Sequence, residues 1–135
     1  MTYLIHTDGG SRGNPGQAAT GFVIQTDDGS TVFEKGEKIG VTTNNVAEYS
    51  AVIAAIKYLL ESPTTLTVAK FYLDSKLVVE QINGNYQIKQ PHLQSLCMEI
   101  QKLRKQLPFP SLFFHVPRKE NARADFLVNL ALDSS

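Results

Sequence analysis

Four acidic residues, spread over the whole chain, each stand at the edge of an apolar run: Asp8, Glu48, Asp74 and Asp125. An unpaired charge is costly to bury, so a hydrophobic core avoids carboxylates in such places. A divalent-metal site needs them, because oxygen ligands select hard cations such as Mg²⁺ or Mn²⁺. Carboxylates that hold two metal ions suit the in-line attack of water on a phosphodiester. The pattern therefore favours a Mg²⁺ or Mn²⁺ site of this kind.

Each of these acids also has an ordinary structural explanation. Asp8, just before a glycine pair, is placed to bond its own backbone in a turn. Asp74 could cap the helix that follows, although Ser75 competes for that position. Asp125 falls in the first turn or two of the last helix, where the helix dipole favours a negative charge. Taken one at a time, these residues do not establish a site.

Glu48 has two interpretations. It follows Asn45 by three residues, the spacing of a capping box, in which the glutamate bonds the backbone at the start of the helix. It also precedes Val52 by four residues, which places its side chain at the border of the buried stripe of the helix. A capping glutamate has no need to border the core, so the second observation favours a site residue.

The acids are more informative when they are considered together. Asp8 and Asp74 both lie at the predicted C-terminal ends of strands. If those strands are parallel neighbours, the two carboxylates converge at the edge where open α/β sheets place ligands. Two unit charges about 4 Å apart repel by roughly 4 kcal/mol at an effective dielectric of about 20. Such repulsion is hard to sustain unless cations neutralise the acids or their pKa values rise.

The run from Asp8 to Gly16 is the most distinctive stretch of the chain. Its glycines leave room for the backbone to approach a ligand and expose N–H groups: Gly9, Gly10, Gly13 and Gly16. The run lacks the Gly-Lys-Ser/Thr of a Walker A loop, and it leads into a strand rather than the helix of a dinucleotide-binding motif. Asn14 is either a turn residue or a ligand contact, and Arg12 is either a solvated charge or a phosphate contact.

A second polar run, Thr42-Thr43-Asn44-Asn45, precedes the first long helix. One of its residues must be the N-cap of that helix. The other polar groups lie beside a helix N-terminus, where they can bind phosphate or sugar.

Apolar periodicity places these residues on an α/β framework. Short apolar runs bounded by turn residues predict strands at Tyr3–Asp8, Ala18–Thr26, Thr31–Lys38, Val68–Leu73 and Leu112–Val116. Helical spacing predicts helices at Asn45–Glu61, ended by Pro63, at Ser75–Ile82, around Leu93 to Leu107, and around Ala124 to Ala131. The order βββ-α-β-α-α-β-α predicts one α/β domain over residues 1–135, with a mixed sheet that begins as an antiparallel meander.

Composition limits the classes of protein that fit. A chain of 135 residues with 42% hydrophobic and 19% charged residues is typical of an ordinary globular domain. Thirteen basic residues balance thirteen acidic ones, which argues against a strongly basic nucleic-acid coat protein without excluding a local basic groove. Cys97 has no partner for an internal disulfide and is expected to be a packed, reduced thiol. Without a recognisable signal peptide or long apolar run, we expect a cytoplasmic protein with no membrane partner.

These residues together resemble ribonuclease HI. Segments that match its motifs, in order and each with an acidic residue, are Thr7–Gly16, Thr43–Tyr49, Asp74-Ser75 and Glu120–Asp125. The resemblance implies a ribonuclease H-like fold, a five-stranded mixed sheet of strand order 3-2-1-4-5 flanked by helices. It also implies endonucleolytic cleavage of the RNA strand of RNA/DNA hybrids with two Mg²⁺ or Mn²⁺ ions.

The resemblance also implies a role for each matching residue. The metal-binding carboxylates of the family correspond to Asp8, Glu48, Asp74 and Asp125. In the family the glutamate also lies near the ribose 2′-hydroxyl, by which RNA is told from DNA. The residues expected to contact the sugars and backbone of the hybrid are Gly9, Gly10, Ser11, Arg12, Gly13, Asn14, Asn44, Asn45, Ser75 and Lys89.

The chain departs from the family pattern in features that affect substrate binding and product release. Many members carry a basic handle where this chain has only the short segment Asn83–Pro91, whose one charged residue is Lys89. The chain thus resembles the handle-less branch of archaea and some bacteria. A mobile histidine that helps product release in the family has His115 as its counterpart by spacing. His115 could instead point inward from the last strand. Arg118, in the loop after that strand, is the alternative candidate, because its permanently charged guanidinium can bind a phosphate.

Two other functions stay open. The neutral charge and the missing handle fit a module that binds hybrids or double-stranded RNA with weak or altered nuclease activity, although its acids would repel phosphates. A nuclease of the same fold that acts on double-stranded RNA is the other. We expect phosphate contacts from Arg12, Lys76, Lys89, Arg118 and Lys119. The affinity for nucleic acid should therefore fall steeply as the salt concentration rises. A monomer is the favoured oligomeric state.

Overall fold

The computed structural model describes residues 1–62 and 64–134; Pro63, expected to end the first long helix, lies outside them. The strands are β1 (Thr2–Gly13), β2 (Gly16–Thr26), β3 (Thr31–Thr42), β4 (Val68–Leu73) and β5 (Ser111–His115). The helices are α1 (Asn44–Glu61), α2 (Lys76–Ile82), α3 (Pro91–Gln106) and α4 (Ala122–Asp133), with a 3₁₀ turn at Arg118–Asn121. The strands form one five-stranded sheet of order β3-β2-β1-β4-β5, which confirms the predicted fold class and strand order.

The pairing directions of the sheet decide which strand ends meet. β1 pairs antiparallel with β2, and β2 pairs antiparallel with β3. The β2–β3 turn is the predicted Asp28-Gly29 turn, in which Gly29 adopts a φ of +87° that favours glycine. β1 pairs in parallel with β4 from Thr2 to His6, and β4 pairs in parallel with β5. The carboxyl ends of these parallel ladders therefore share one edge of the sheet, the expected location of a ligand site.

β1 is longer than its apolar pattern predicts. The glycine-rich run does not end the strand, because Asp8 to Gly13 continue the antiparallel ladder with β2 as far as the Gly13–Gly16 pair. The expectation that Asp8 ends its strand is therefore wrong. The parallel pairing with β4, however, stops at His6. Asp8 thus still lies at the predicted edge, where β1 and β4 separate.

Other element boundaries differ from the prediction by a few residues. β3 continues to Thr42, since the long hairpin with β2 extends beyond its apolar part. β5 is Ser111–His115, one residue earlier than predicted. The loop expected to hold Arg118 is a 3₁₀ turn, in which the Glu120 N–H donates to the Pro117 carbonyl at 2.9 Å. These short turns have no hydrophobic period that a sequence pattern could show.

The hydrophobic core lies between one face of the sheet and helices α1 and α3. Its members include Ile5, Phe71 and Phe113 from the strands and Val52, Ile56 and Ile100 from the helices. Each such side chain contributes about 1.5–3 kcal/mol when it is fully buried. Cys97 is a free thiol in this core, as predicted. None of the described helices is long and apolar enough to cross a membrane.

α4 covers the opposite face of the sheet, where glycines allow a close approach. A Cβ at Gly21 would lie 2.5 Å from the Ala124 carbonyl oxygen, and a Cβ at Gly36 would lie 2.4 Å from that of Leu127. Any larger residue at either position would push the helix away from the strands. The two glycines therefore determine how α4, with Asp125 in its first turn, lies on the sheet.

The contact between β1 and α1 predicts different effects of two neighbouring substitutions. A Cβ at Gly9 would lie 2.1 Å from the Ala47 carbonyl oxygen, whereas one at Gly10 would meet Val128 at an ordinary 3.7 Å. We expect Gly9→Ala to lower the free energy of unfolding by about 3 kcal/mol, and Gly10→Ala to change it by less than about 1 kcal/mol. Urea denaturation followed by circular dichroism measures both values. Equal effects would contradict the close approach of the helix.

Candidate active site

Asp8 and Glu48 are brought together by the contact of β1 with the start of α1. Gly9, the residue after Asp8, lies against the backbone of Ala47, the residue before Glu48. Thr43 is the N-cap of α1, and its side chain accepts a backbone N–H of the first turn at 3.3 Å. Glu48 is therefore too far along the helix for a capping box, and that interpretation is wrong.

Asp74 directly follows β4, the strand beside β1. Ser75 is the N-cap of α2, since its hydroxyl oxygen accepts the Val78 N–H at 3.3 Å. The capping role considered for Asp74 is therefore wrong, and its carboxylate is available to a ligand. Asp125 lies in the first turn of α4, near enough to Asp8 for its charge to raise the pKa of that acid.

The acids form one compact group at the carboxyl edge of the sheet. Asp8, Glu48 and Asp74 each offer one carboxylate oxygen, and these oxygens all lie within 4.8 Å of one another. Asp8 is buried, and the other two are half-buried. Asp125 lies near the group, and its charge raises the pKa of Asp8. The structure thus brings together three of the acids that the sequence singles out and places the fourth near them.

Burial and crowding raise the pKa of two of these acids. Burial, followed by the charges of Asp74 and Asp125, raises the pKa of Asp8 to about 8. Burial raises the pKa of Glu48 to about 9, and the charges of Asp8 and Asp74 add to the shift. The Arg118 guanidinium opposes this rise in the Glu48 pKa. Both shifts mean that the group resists carrying its full negative charge without cations.

The donor set fits a divalent cation of the Mg²⁺ or Mn²⁺ class. It consists of carboxylate oxygens, which are the ligands that hard cations prefer. Glu48 Oε2 is buried without a hydrogen-bond partner among residues 1–62 and 64–134. A buried acceptor without a partner is costly, and a cation bound to it would remove that cost. These two observations support the expected metal site on the chemistry of its own residues.

A polar network ties the glycine-rich run to the start of α1. The Asn44 side-chain oxygen accepts the Ser11 N–H at 2.9 Å and the Ser11 hydroxyl at 3.0 Å. The Asn14 side-chain oxygen accepts the Asn44 N–H at 3.0 Å. Asn14 and Asn44 are both exposed, whereas Asn45 is half-buried in the first turn of the helix. The network therefore shapes a polar surface between β1 and α1, next to the acids.

The basic residues and the histidine predicted for the site are all exposed. Arg12 pairs with Asp133 at 2.6 Å, so its guanidinium is engaged with the end of α4. Lys89 lies in the connection between α2 and α3. His115 ends β5 with its side chain exposed, so the alternative that it points inward is wrong. Arg118 begins the 3₁₀ turn.

The remaining predicted contacts belong to the glycine-rich run and the start of α2. Gly10 faces Val128 of α4, and Gly13 ends β1 with a φ of +95°. Gly9 is buried against α1, and Ser75 caps α2. These residues have structural roles, and their contacts with a substrate stay predictions.

Asn121 is a residue of this region that the sequence pattern does not mark. It is buried between the 3₁₀ turn and β1, where its side-chain N–H donates to the Thr7 carbonyl at 2.8 Å. Its only signal in the sequence is its place in a motif that ends at Asp125. Polar residues at such positions are usually exposed, so spacing alone does not predict this burial.

Known proteins are similar in sequence to this chain over most of its length. The family model described as reverse transcriptase-like matches residues 6–131. Ribonuclease HI of Halobacterium salinarum is 42% identical over 130 residues, which cover 95% of this chain and 63% of the relative. The bifunctional protein Rv2228c of Mycobacterium tuberculosis is 44% identical over 137 residues, which cover 100% of this chain and 36% of the relative. The chain thus spans only part of the length of these curated relatives.

Solved structures share the fold along nearly the whole chain. RNase H1 of Halobacterium salinarum superposes with a TM-score of 0.92 at 38% identity, covering 100% of both chains. LC11-RNase H1, isolated from compost, superposes with a TM-score of 0.93 at 42% identity, covering 98% of this chain and 96% of that one. A second crystal structure of LC11-RNase H1 is a complex with an RNA/DNA hybrid. The N-terminal RNase H domain of Rv2228c superposes with a TM-score of 0.89 at 41% identity, covering 98% and 100% of the two chains.

The raised pKa values predict how the stability of the metal-free protein depends on pH. Folded Asp8 and Glu48 hold protons that the unfolded chain releases above about pH 4. These two acids therefore contribute most to stability below about pH 4, and their contribution is lost as pH rises from there to the folded-state pKa values of about 8 and about 9. Asp8→Asn removes one titrating group, and we expect it to reduce this fall by up to about 1.4 kcal/mol per pH unit.

Chemical denaturation in EDTA, from about pH 5 to about pH 8.5, measures this dependence. Asp27→Asn removes a carboxylate from the exposed hairpin turn and should keep the wild-type slope. Added Mg²⁺ or Mn²⁺ should stabilise the protein more at pH 8 than at pH 5, because cations and protons compete for the same oxygens. Identical slopes for Asp8→Asn and the wild type would contradict the crowding of the acids.

Proposed function

The chain belongs to the ribonuclease H1 family, and we propose on this basis that it is a metal-dependent endonuclease that hydrolyses the RNA strand of RNA/DNA hybrids. The observation that carries the proposal is the convergence of Asp8, Glu48 and Asp74, whose carboxylate oxygens lie within 4.8 Å of one another. These acids come from β1, from α1 and from the end of β4, so the whole fold is needed to place them. A fold alone does not define an activity, but a group of carboxylates that can bind divalent cations supports phosphodiester hydrolysis.

The acids are the proposed ligands of the cations and the proposed centre of hydrolysis. The ions would be held by Asp8, Glu48, Asp74 and Asp125. When bound, two Mg²⁺ or Mn²⁺ ions supply Lewis acidity to the attacking water and to the leaving 3′ oxygen. Glu48 is also proposed to accept a hydrogen bond from the ribose 2′-hydroxyl, the group that distinguishes RNA from DNA. Its buried, unpartnered Oε2 supports a role in binding.

The glycine-rich run and the start of α1 form the proposed surface for the sugars and phosphates of the hybrid. The side-chain oxygens of Asn14 and Asn44 are used within the chain. Their amide nitrogens are therefore the groups proposed to donate to phosphate or sugar oxygens. Further phosphate contacts are proposed from Lys76, Lys89, Arg118 and Lys119. Arg12 would join them only after its guanidinium leaves Asp133.

We also propose that the cation is Mg²⁺ or Mn²⁺, that the protein is a monomer and that it resides in the cytoplasm. Double-stranded RNA is proposed as a possible second substrate. A module that only binds hybrids is disfavoured, because a group of acids repels phosphates unless cations neutralise it. The site therefore supports a hydrolase better than a binding protein.

Hybrid cleavage is predicted to depend on Asp74. The purified protein with Mg²⁺ or Mn²⁺ should cleave the RNA strand of an end-labelled hybrid. Asp74→Asn should lower the rate by more than about 100-fold, because loss of an outer partner of a metal ligand alone costs roughly 10- to 100-fold. Asp27→Asn, which removes the same charge from an exposed turn, should keep the wild-type rate.

The same assay on an RNA duplex and a DNA duplex separates the alternatives. Cleavage of the RNA duplex in preference to the hybrid would identify a nuclease of the same fold with another substrate. Tight, metal-independent hybrid binding without turnover would identify a binding module. Either result, or hybrid cleavage that Asp74→Asn leaves unchanged, would contradict the proposed function.

Arg118 and His115 are predicted to differ in their effect on turnover. Arg118 is close enough to Glu48 to oppose the rise in its pKa, whereas His115 is exposed at the end of β5. We propose that Arg118 contacts a phosphate beside the acids. Arg118→Ala should lower kcat about tenfold, a loss of roughly 1.4 kcal/mol, and His115→Ala should change it by less than about twofold. A larger loss in His115→Ala than in Arg118→Ala would reverse the assignment.

A further inference from the structure

One buried hydrogen bond joins the segments that carry Asp8 and Asp125. Asn121, the last residue of the 3₁₀ turn, is 1% exposed, and its side-chain N–H donates to the Thr7 carbonyl at 2.8 Å. Thr7 directly precedes Asp8, and Asn121 precedes Asp125 by four residues, about one helical turn. The bond therefore fixes the backbone one residue from one acid and about one turn from the other.

This bond lies where β1 separates from β4. The parallel pairing of the two strands ends at His6. Thr7 is the next residue of β1, so the Asn121 side chain bonds the strand at the first position beyond that pairing. Asp8 and Asp74 follow on the two sides of the same gap. Asn121 thus holds the sheet at the point from which the acids project.

The Asn121 side chain is poorly suited to a purely stabilising role. Its Oδ1 is buried without a hydrogen-bond partner in the part of the chain that the structure describes, and so is Thr7 Oγ1. A buried polar atom without a partner costs roughly 1–3 kcal/mol, which offsets the ~1 kcal/mol that a typical internal hydrogen bond contributes. An apolar side chain of similar size would avoid this cost, but it would leave the buried Thr7 carbonyl without its donor at a similar cost. The net contribution of the amide to stability is therefore small, and what the amide adds is a fixed position for Thr7.

The other anchors of the first turns of α4 lie on different strands, whereas its later turns meet β1, where Gly10 faces Val128 and Arg12 pairs with Asp133. Its Ala124 and Leu127 carbonyls rest on glycines of β2 and β3, and Arg123 forms an ion pair with Glu34 of β3. The Asn121 bond instead attaches the start of the helix to β1. Without it, the first turn of α4 would be attached to β2 and β3, and to β1 only through later turns of the helix, so it could shift relative to Thr7 and Asp8.

We infer that Asn121 is a positioning residue that holds Asp125 beside Asp8, so that both carboxylates can bind the same divalent cation. Asn121 acts through these acids and does not itself touch the cation. The inference rests on the proposed function, because the cation site is also the proposed centre of hydrolysis. Outer partners that orient metal ligands typically change metal affinity or activity by 10- to 100-fold.

Titration of the metal-free protein with Mn²⁺, followed by electron paramagnetic resonance, tests this role. Asn121→Leu keeps a similar volume without the amide, and Asn121→Ala removes the side chain without crowding. Asn83→Ala is the matched control, because it removes an amide bond to another strand, from Asn83 to the Phe113 carbonyl at 3.2 Å. We expect Mn²⁺ affinity to weaken about 10- to 100-fold in both Asn121 variants and to stay unchanged in Asn83→Ala.

Hybrid cleavage gives a second readout at a temperature where every variant is folded. In the Asn121 variants kcat should fall by about 10- to 100-fold while KM changes less than about twofold, because the substrate surface is intact. A wild-type protein that cleaves no hybrid, together with Mn²⁺ affinity that depends on Asn121, would defeat the proposed function and support the positioning role. Wild-type Mn²⁺ affinity in a folded Asn121 variant would overturn the inference. Failure of both Asn121 variants to fold would also overturn it, because Asn121 would then act through stability.

Discussion

Mutual repulsion between buried and half-buried carboxylates is the constraint to which the rest of this structure is fitted. Asp8, Glu48 and Asp74 hold oxygens within 4.8 Å of one another, in surroundings that raise the pKa of Asp8 to about 8 and that of Glu48 to about 9. Without cations, only protons can relieve this repulsion. The same crowding favours the binding of a divalent cation, because a cation replaces the repulsion with attraction. The crowded carboxylates thus raise the free energy of the folded protein when no cation is bound. A bound divalent cation, which carboxylate oxygens prefer, lowers it.

The fold holds these acids together by attaching each of them to a regular element that cannot relax away. Gly9 lets α1 approach β1 until the helix backbone nearly touches the strand. Thr43 and Ser75 cap α1 and α2, which leaves the nearby acids free of capping roles. α4 rests on glycines of β2 and β3, and the Asn121 amide attaches its start to β1. A site built on helices and strands in this way stays organised without its ligand.

The sequence and its family resemblance together predicted the strand order, the helices and the candidate acids, because apolar periods and ordered motifs record them. They misplaced the end of β1, since its glycine-rich part pairs with β2 through backbone bonds that leave no apolar pattern. They did not predict the bond between Asn121 and Thr7, which are 114 residues apart in the chain. The ion pair of Arg12 with Asp133 was missed for the same reason. Contacts between distant polar residues appear only when the fold brings them together.

A crystal of this protein soaked in Mn²⁺, with diffraction measured near the manganese absorption edge, tests the central claim most directly. Anomalous peaks should lie between the carboxylates of Asp8, Glu48, Asp74 and Asp125. Such peaks would show that the crowded acids form a cation site. An ordered structure in which these carboxylates bind no manganese, while peaks occur only at other surfaces, would contradict the account.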